Sequence, residues 1–329
     1  MKKKRVCILT LGGTIAFSPN AGDEKITDLT PFIEGLDEVK DFAEVNTIAV
    51  MRSSSSALHV SDIIQVGMEI KRLIGEGYDG FIVIQGTDTI EETAFLLQLL
   101  VDMPHPIIVT GAMRNPDMRG ADGPANILAS IRVAASDKCR GLGAFVVFND
   151  EIHSAYFVRK VHPQSTEAFA SEFGPLGYLA EGTPSIRVVP VKRTIPWINL
   201  KTEQVHVPIY SVPLGDDGML LTKIEELGYP GLVLEALGGG HTPSELVDTL
   251  ERLAGKIPVV LASRIGAGDM LTDTYSGYPG SEISLLGRGL ISAGLLDARK
   301  SRLLLILLLM SECSRDQIVE SFRIFSKEF

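Results

Sequence analysis

The feature that most constrains this chain is a repeated unit: a nearly continuous apolar run, a glycine-marked turn, then a helical stretch. RVCILTL opens the series, and EVNTIAVM leads to a helix from about Ser61 and Asp62 through MEIKRLI. GFIVIQ precedes IEETAFLLQLLVD, PIIVTG precedes ANILASIRVAAS, and GAFVVFND follows. Strands apolar at almost every position have both faces buried, which requires a parallel sheet with helices on either side. Between about 188 and 218 the helical period disappears and Pro190, Pro196, Pro208 and Pro213 accumulate, as in a connection between domains. GLVLEAL, GGGHTPSELVDTLERLA and IPVVLAS then restart the alternation, followed by two C-terminal helices. The expected fold is α/β. It has a larger N-terminal parallel-sheet domain over 1–190, a connection over 191–217 and a smaller C-terminal α/β domain over 218–329.

The remaining composition excludes several function classes. A net charge of −10 disfavours a nucleic-acid partner, because phosphate binding needs a basic surface. The basic run Lys2, Lys3, Lys4 and Arg5 resembles the start of a signal peptide, but Gly12, Gly13 and Thr14 break the apolar stretch behind it. A first β-strand is the expectation there. LLLILLLM, at 303–310, is far shorter than the roughly 20 residues a spanning helix needs. It reads as a buried helix segment, and no membrane partner is expected. Cys7, Cys139 and Cys313 are too scattered for C-x-x-C chemistry and read as free thiols in a reducing, cytoplasmic compartment, with Cys7 and Cys313 as core residues. The six histidines show no ligand spacing, so neither metal nor other cofactor is expected.

Two stretches share a feature: LTLGGTIAF and IVIQGTDTIEETAF each place Gly and then Thr directly after a buried strand. Gly and Thr are ordinary turn residues. In open parallel sheets, however, ligands bind beyond the carboxyl ends of strands, which would set Thr14 and Thr87 across one pocket. Thr89 with Glu92 predicts a capping box opening the next helix. A threonine hydroxyl attacks only once a base takes its proton; Asp88 is adjacent, and a lysine in a dry site is the other candidate.

LGGTIA, QGTDTIEETA and VTGAMR with ADGPANI behind it occur in the order found in the bacterial-type L-asparaginase and glutaminase-asparaginase family, which the chain resembles over nearly its whole length. The resemblance implies an asparaginase-like fold and hydrolysis of L-asparagine to L-aspartate and ammonia through an acyl-enzyme on Thr14. It implies a Thr87–Lys160–Asp88 triad, with Lys160 placed in FVRKVHPQSTEAF. Asp88 would also accept the substrate α-ammonium, and Ser55 and Ser56 of RSSSSAL would bind its α-carboxylate. Glu282, in PGSEISLLGRGLISAG, would reach into a neighbouring subunit's site. Partners are therefore a small-molecule amide and further copies of this chain, as a homodimer or homotetramer with shared sites.

Each residue also has a plainer reading. Lys160 and Glu282 suit a solvated surface, Ser53–Ser56 a turn, and His241 with Thr242-Pro243 a helix entry. The chain departs from the family where a lid tyrosine is usual, since no tyrosine lies between Phe17 and Val50, and Gln85 stands where many members have histidine. Asp23, Glu24 or Lys25 are candidate substitutes for the phenol. These departures leave open a related amide (glutamine, D-asparagine or another) or a catalytically silent amino-acid-binding homologue. The ammonia-supplying component of tRNA-dependent amidation fits less well, as it normally has an additional N-terminal region and acts with an RNA partner.

Overall fold

The computed structural model describes residues 3–12 and 36–326. The chain divides into two compact units, Met1–Lys192 and Arg193–Phe329.

In the first unit, strand β1 (Lys4–Thr10) lies between β2 (Ala43–Ala49) and β3 (Gly80–Ile84), and β4 (Ile107–Thr110) and β5 (Ala144–Phe148) continue beyond β3. These five strands are parallel. The three strands β3, β4 and β5 are buried at every position, which their unbroken apolar sequences require. The edge strand β2 is mostly half-buried or exposed, because one side of it has no neighbour. One core face takes alternate residues, Val6, Ile8, Ile82, Ile84, Ile108, Phe145 and Val147, and packs against Ile127 and Ile131. That period of two is the pleat of the sheet. Among the described residues its α-helices are α1 (Val60–Gly75), α2 (Ile90–Leu100) and α3 (Gly123–Ala134), which carries Ile127 and Ile131.

Beyond β5 the sheet changes character. The short strand β6 (Glu151–Ser154) returns antiparallel, and a separate ribbon forms from β7 (Val158–Lys160) and β8 (Phe169–Ser171). Then β9 (Gly177–Ala180) and β10 (Thr183–Ile186) complete an eight-stranded sheet of order β10-β9-β6-β5-β4-β3-β1-β2. The sequence reading assigned no strands between 151 and 186. Three- and four-residue strands carry too few positions to show a period, and pairing across the fold defines them.

The second unit has a four-stranded parallel sheet: β11 (Ile209–Ser211), β12 (Leu232–Ala236), β13 (Val259–Ser263) and β14 (Ile291–Ser292). Its helices are α4 (Met219–Glu226), α5 (Val247–Ala254), α6 (Glu282–Gly287), α7 (Ala298–Met310) and α8 (Arg315–Ile324). Strand β11 lies inside the stretch expected to be a connection; three residues between prolines are enough to pair with β12 once that partner is in place. The 303–310 run forms the buried end of α7. Among the described residues no helix is long and apolar enough to cross a membrane. Cys7 and Cys139 are buried, and burial pushes their thiols up to about 12 and about 11. Cys313, expected in the core, is partly exposed beside the Trp197 carbonyl.

Candidate active site

The strand order places β1 between β2 and β3, so the strand that follows β1 and the strand that follows β3 lie on opposite sides of the pair. A crevice opens at such a switch point, beyond the carboxyl ends of the two strands. There the Leu11 N–H donates to the Ile84 carbonyl at 2.8 Å, and the Ser53 N–H donates to the Leu11 carbonyl at 2.8 Å. Thr14 itself lies outside the described residues, as do Asp23, Glu24 and Lys25.

The glycines of the two Gly-Thr stretches do more than turn the chain. At Gly12, φ is +113°, and a Cβ would stand 2.4 Å from the Ser53 carbonyl oxygen. Gly86 has ordinary φ, but a Cβ there would stand 2.6 Å from Ser55 Oγ. Both glycines therefore make room for the serine run, which is drawn against the ends of β1 and β3.

Ser55 is buried and Ser56 is exposed. Ser55 Oγ lies 3.3 Å from Asp88 Oδ2 and 3.4 Å from the Asp88 amide nitrogen. The Ser56 hydroxyl turns instead to Ser54 Oγ, at 2.9 Å. Thr89, expected to cap α2, makes no side-chain cap bond. Its hydroxyl donates to the Ser55 carbonyl at 3.1 Å and accepts from Gln85 Nε2 at 3.0 Å. The Thr89 cap does not form because its oxygen is already taken by the Gln85 amide and its proton by the Ser55 carbonyl. Residues 87–89 form a 3-10 turn that runs directly into α2.

Lys160, at the end of β7, reaches the first two residues of that turn. Its Nζ lies 2.9 Å from Thr87 Oγ1 and 2.8 Å from Asp88 Oδ1. The hydrogen bond from Lys160 holds the Asp88 carboxyl below its usual range, burial opposes this, and the Lys160 charge and Ser55 add to the lowering. Asp88 is thus an anion with its two oxygens directed at an ammonium and a hydroxyl. A hydroxyl held to an amine that is held to a carboxylate repeats the logic by which a third group orients a base.

Two features support Lys160 from behind. Its backbone N–H donates to Glu91 Oε2, on the first turn of α2. Its ribbon is fastened to the sheet through the Phe148–Phe169 ring contact, centroids 4.9 Å apart, and through His153 Nδ1 and Ser171 Oγ at 3.0 Å. His153 is buried, which pushes its imidazole down to about 4. Glu91 was missed in the sequence. A charged residue in a helix as apolar as IEETAFLLQLL signals a buried partner, but nothing local identifies one about seventy residues away.

VTGAMR and ADGPANI have a structural account. The Asp122 carboxyl accepts the amides of Met113 and Arg114, each at 2.9 Å. Asn126 donates to the Gly111 carbonyl at 3.0 Å and accepts the Asn149 N–H at 3.0 Å. The loops after β4 and β5 are thereby tied to α3.

In the second unit, Glu282 is fully buried at the start of α6. Its Oε1 accepts the amides of Thr274 at 3.0 Å and Tyr275 at 2.6 Å, and its Oε2 lies 3.2 Å from His241 Nε2. Burial raises the Glu282 pKa, but these amides and His241 outweigh it and leave the carboxyl below its ordinary value. His241 therefore meets Glu282 and the edges of Tyr275 and Tyr278, with ring centroids at 4.8 and 5.9 Å, rather than serving only helix entry.

Lys160 thus joins Thr87 and Asp88 beyond the end of β3, the rim where a parallel sheet binds its ligands. Comparison with known proteins identifies the family. Residues 5–191 match the family described as Asparaginase, N-terminal, and residues 206–322 the Glutaminase/Asparaginase C-terminal domain. A Deinococcus radiodurans protein named Probable L-asparaginase is 34% identical over 321 residues, covering 97% of each chain. A Glutaminase-asparaginase of Pseudomonas fluorescens biotype A is 31% identical over 280 residues, covering 81% of this chain and 77% of its own. The crystal structure of a Probable Cytoplasmic L-asparaginase from Campylobacter jejuni superposes with a TM-score of 0.84 at 29% identity, over 98% of this chain and 99% of that one. This chain belongs to the asparaginase family of amidohydrolases.

Proposed function

We propose that the protein hydrolyses the side-chain amide of L-asparagine, with Thr14 as nucleophile. The observation that carries this reading is the contact of Lys160 with both Thr87 and Asp88, at the same strand ends where the described chain reaches Gly12. Thr14 Oγ attacks the amide carbon, the C–N bond breaks, and the hydroxyl proton leaves with the nitrogen as ammonia. Water then attacks the Thr14 ester. Activated by the Thr87–Lys160–Asp88 unit, the water gives up its proton, which is relayed through the Thr87 hydroxyl to Thr14 Oγ as the ester bond breaks, releasing L-aspartate. This is the two-step logic of covalent catalysis.

Recognition of an α-amino acid needs an anion for its ammonium and donors for its carboxylate. Asp88, kept ionised by Lys160, supplies the first, and in this reading Ser55 and Ser56 supply the second. In this reading Glu282 acts on the site of a second copy in a homodimer or homotetramer, and the three free thiols suit the cytoplasm.

A second reading, a related amide such as L-glutamine or D-asparagine, is favoured by Gln85. It is buried beside Thr89, where many family members carry histidine. Ammonia release from L-asparagine, L-glutamine and their D-forms, with Thr14→Ala as control, tests both readings. Thr14-dependent release from L-asparagine supports the first, and release from another amide alone supports the second. Unchanged turnover in Thr14→Ala would remove the nucleophile assignment. A silent wild type that still binds the amino acid would point to a binding homologue.

A further inference from the structure

Lys160 is gripped at both ends by one short stretch of chain. Asp88 and Thr87 hold its ammonium, and Glu91, three residues beyond Asp88, accepts its backbone N–H. We propose that Glu91 is a positioning residue for catalysis, fixing the backbone from which Lys160 reaches Thr87 and Asp88. This inference rests on the amide-hydrolase reading above.

Three observations carry it. First, the ribbon bearing Lys160 is only three residues deep on each strand, and a two-stranded ribbon of that size is not stable by itself. Its place must be set by contacts outside the ribbon. Second, the Val161 N–H donates to the Ala168 carbonyl at 2.7 Å, so the alternation of an antiparallel pair turns the Lys160 N–H away from β8. Glu91 Oε2 is the acceptor waiting on that outer edge. Third, Glu91 is only 4% exposed, and a carboxyl group that deeply buried is costly unless its oxygens meet donors. The Lys160 N–H is one such donor, and accepting it ties the helix that starts at the Thr87–Asp88 turn to the strand that delivers the lysine. The two halves of the triad then cannot drift independently.

The test compares wild type with Glu91→Gln, Glu91→Asp and Glu91→Leu, using the amide on which the wild type proves active. Glu91→Gln keeps a carbonyl oxygen of the same reach and is expected to retain kcat within about threefold. Glu91→Asp keeps the carboxyl but falls one methylene short, and Glu91→Leu removes the acceptor. Both should lose kcat by about 10- to 100-fold, the scale set by a misplacement near 1 Å, while KM changes far less. Hydrogen exchange at the Lys160 amide is the second readout, slow in wild type and Glu91→Gln and at least about tenfold faster in the other two. If Glu91→Leu does not fold, Glu91→Asp carries the comparison. Wild-type kcat in folded Glu91→Asp, or equal losses in Glu91→Gln and Glu91→Asp, would overturn the proposal. A wild type silent on every amide would overturn the functional reading instead, while the exchange measurement still decides whether Glu91 holds Lys160.

Discussion

Lowering the pH should loosen the first unit through His153, and the size of the effect follows from its burial. The imidazole is 1% exposed and its pKa falls from 6.5 to about 4. The unfolded chain therefore takes up a proton near pH 6.5, whereas the folded one resists until about pH 4. Stability must decline as pH falls through that window, and the full penalty is reached below it. A gap of 2.5 units (6.5 − 4) at about 1.36 kcal/mol each gives about 3.4 kcal/mol, of which about 2.5 kcal/mol is expressed by pH 4.5. Glu151, whose Oε2 lies 3.1 Å from His153 Nε2, acts in the opposite sense. Its pKa is raised, by burial first and by Glu167 second, so it favours the folded state as pH falls. Because Glu151 is close to half exposed, solvent screens its contribution. His153→Gln can still bond Ser171 but does not titrate. Urea transitions of both proteins at pH 7 and pH 4.5, followed by far-UV circular dichroism, provide the assay. The single tryptophan, Trp197, lies in the other unit and would not report this event. Wild type should lose about 2 kcal/mol more than the variant between the two pH values. Parallel losses would refute the reasoning.

Two further perturbations test the geometry directly. Lys160→Met removes the hydrogen bond that most lowers the Asp88 pKa, so any residual activity should show its acid limb displaced to higher pH, alongside a drop in kcat of about 100-fold or more. An unmoved acid limb would mean that Asp88 does not control it. Gly80→Ala places a Cβ 2.2 Å from the Ala134 carbonyl oxygen, where α3 ends against β3, and should destabilise by about 1–3 kcal/mol through overpacking. A urea midpoint equal to wild type would show that α3 yields without cost.

The parallel part of the fold was legible because each of its strands is a run of buried apolar residues, as GFIVI and AFVVF show. EIHS, VRK and FAS were not, since their pairing depends on residues far along the chain. The site divides the same way. Thr87 and Asp88 follow from the rule that ligands gather at strand ends, and the structure brings both to Lys160. Physical reasoning alone did not single out Lys160; only the resemblance did. The cap expected from Thr89 fitted the local pattern and did not form, because the Gln85 amide occupies the Thr89 oxygen and a serine loop some thirty residues upstream takes its proton. Ser55 and Ser56, adjacent in sequence, part company: Ser55 fills the space left by Gly86, while Ser56 is exposed.

The lysine that touches Thr87 and Asp88 does not belong to the large sheet. It rides on a separate ribbon whose ties include a ring contact, a histidine–serine pair and one buried carboxyl. Wear on this protein should therefore be uneven. Mild heat should spring the ribbon while the parallel strands stay intact, leaving a molecule that looks native to a bulk probe of folding yet has lost its hold on Thr87 and Asp88. Shelf life and melting point would then measure different things, and reinforcing the ribbon would prolong the first with little change in the second.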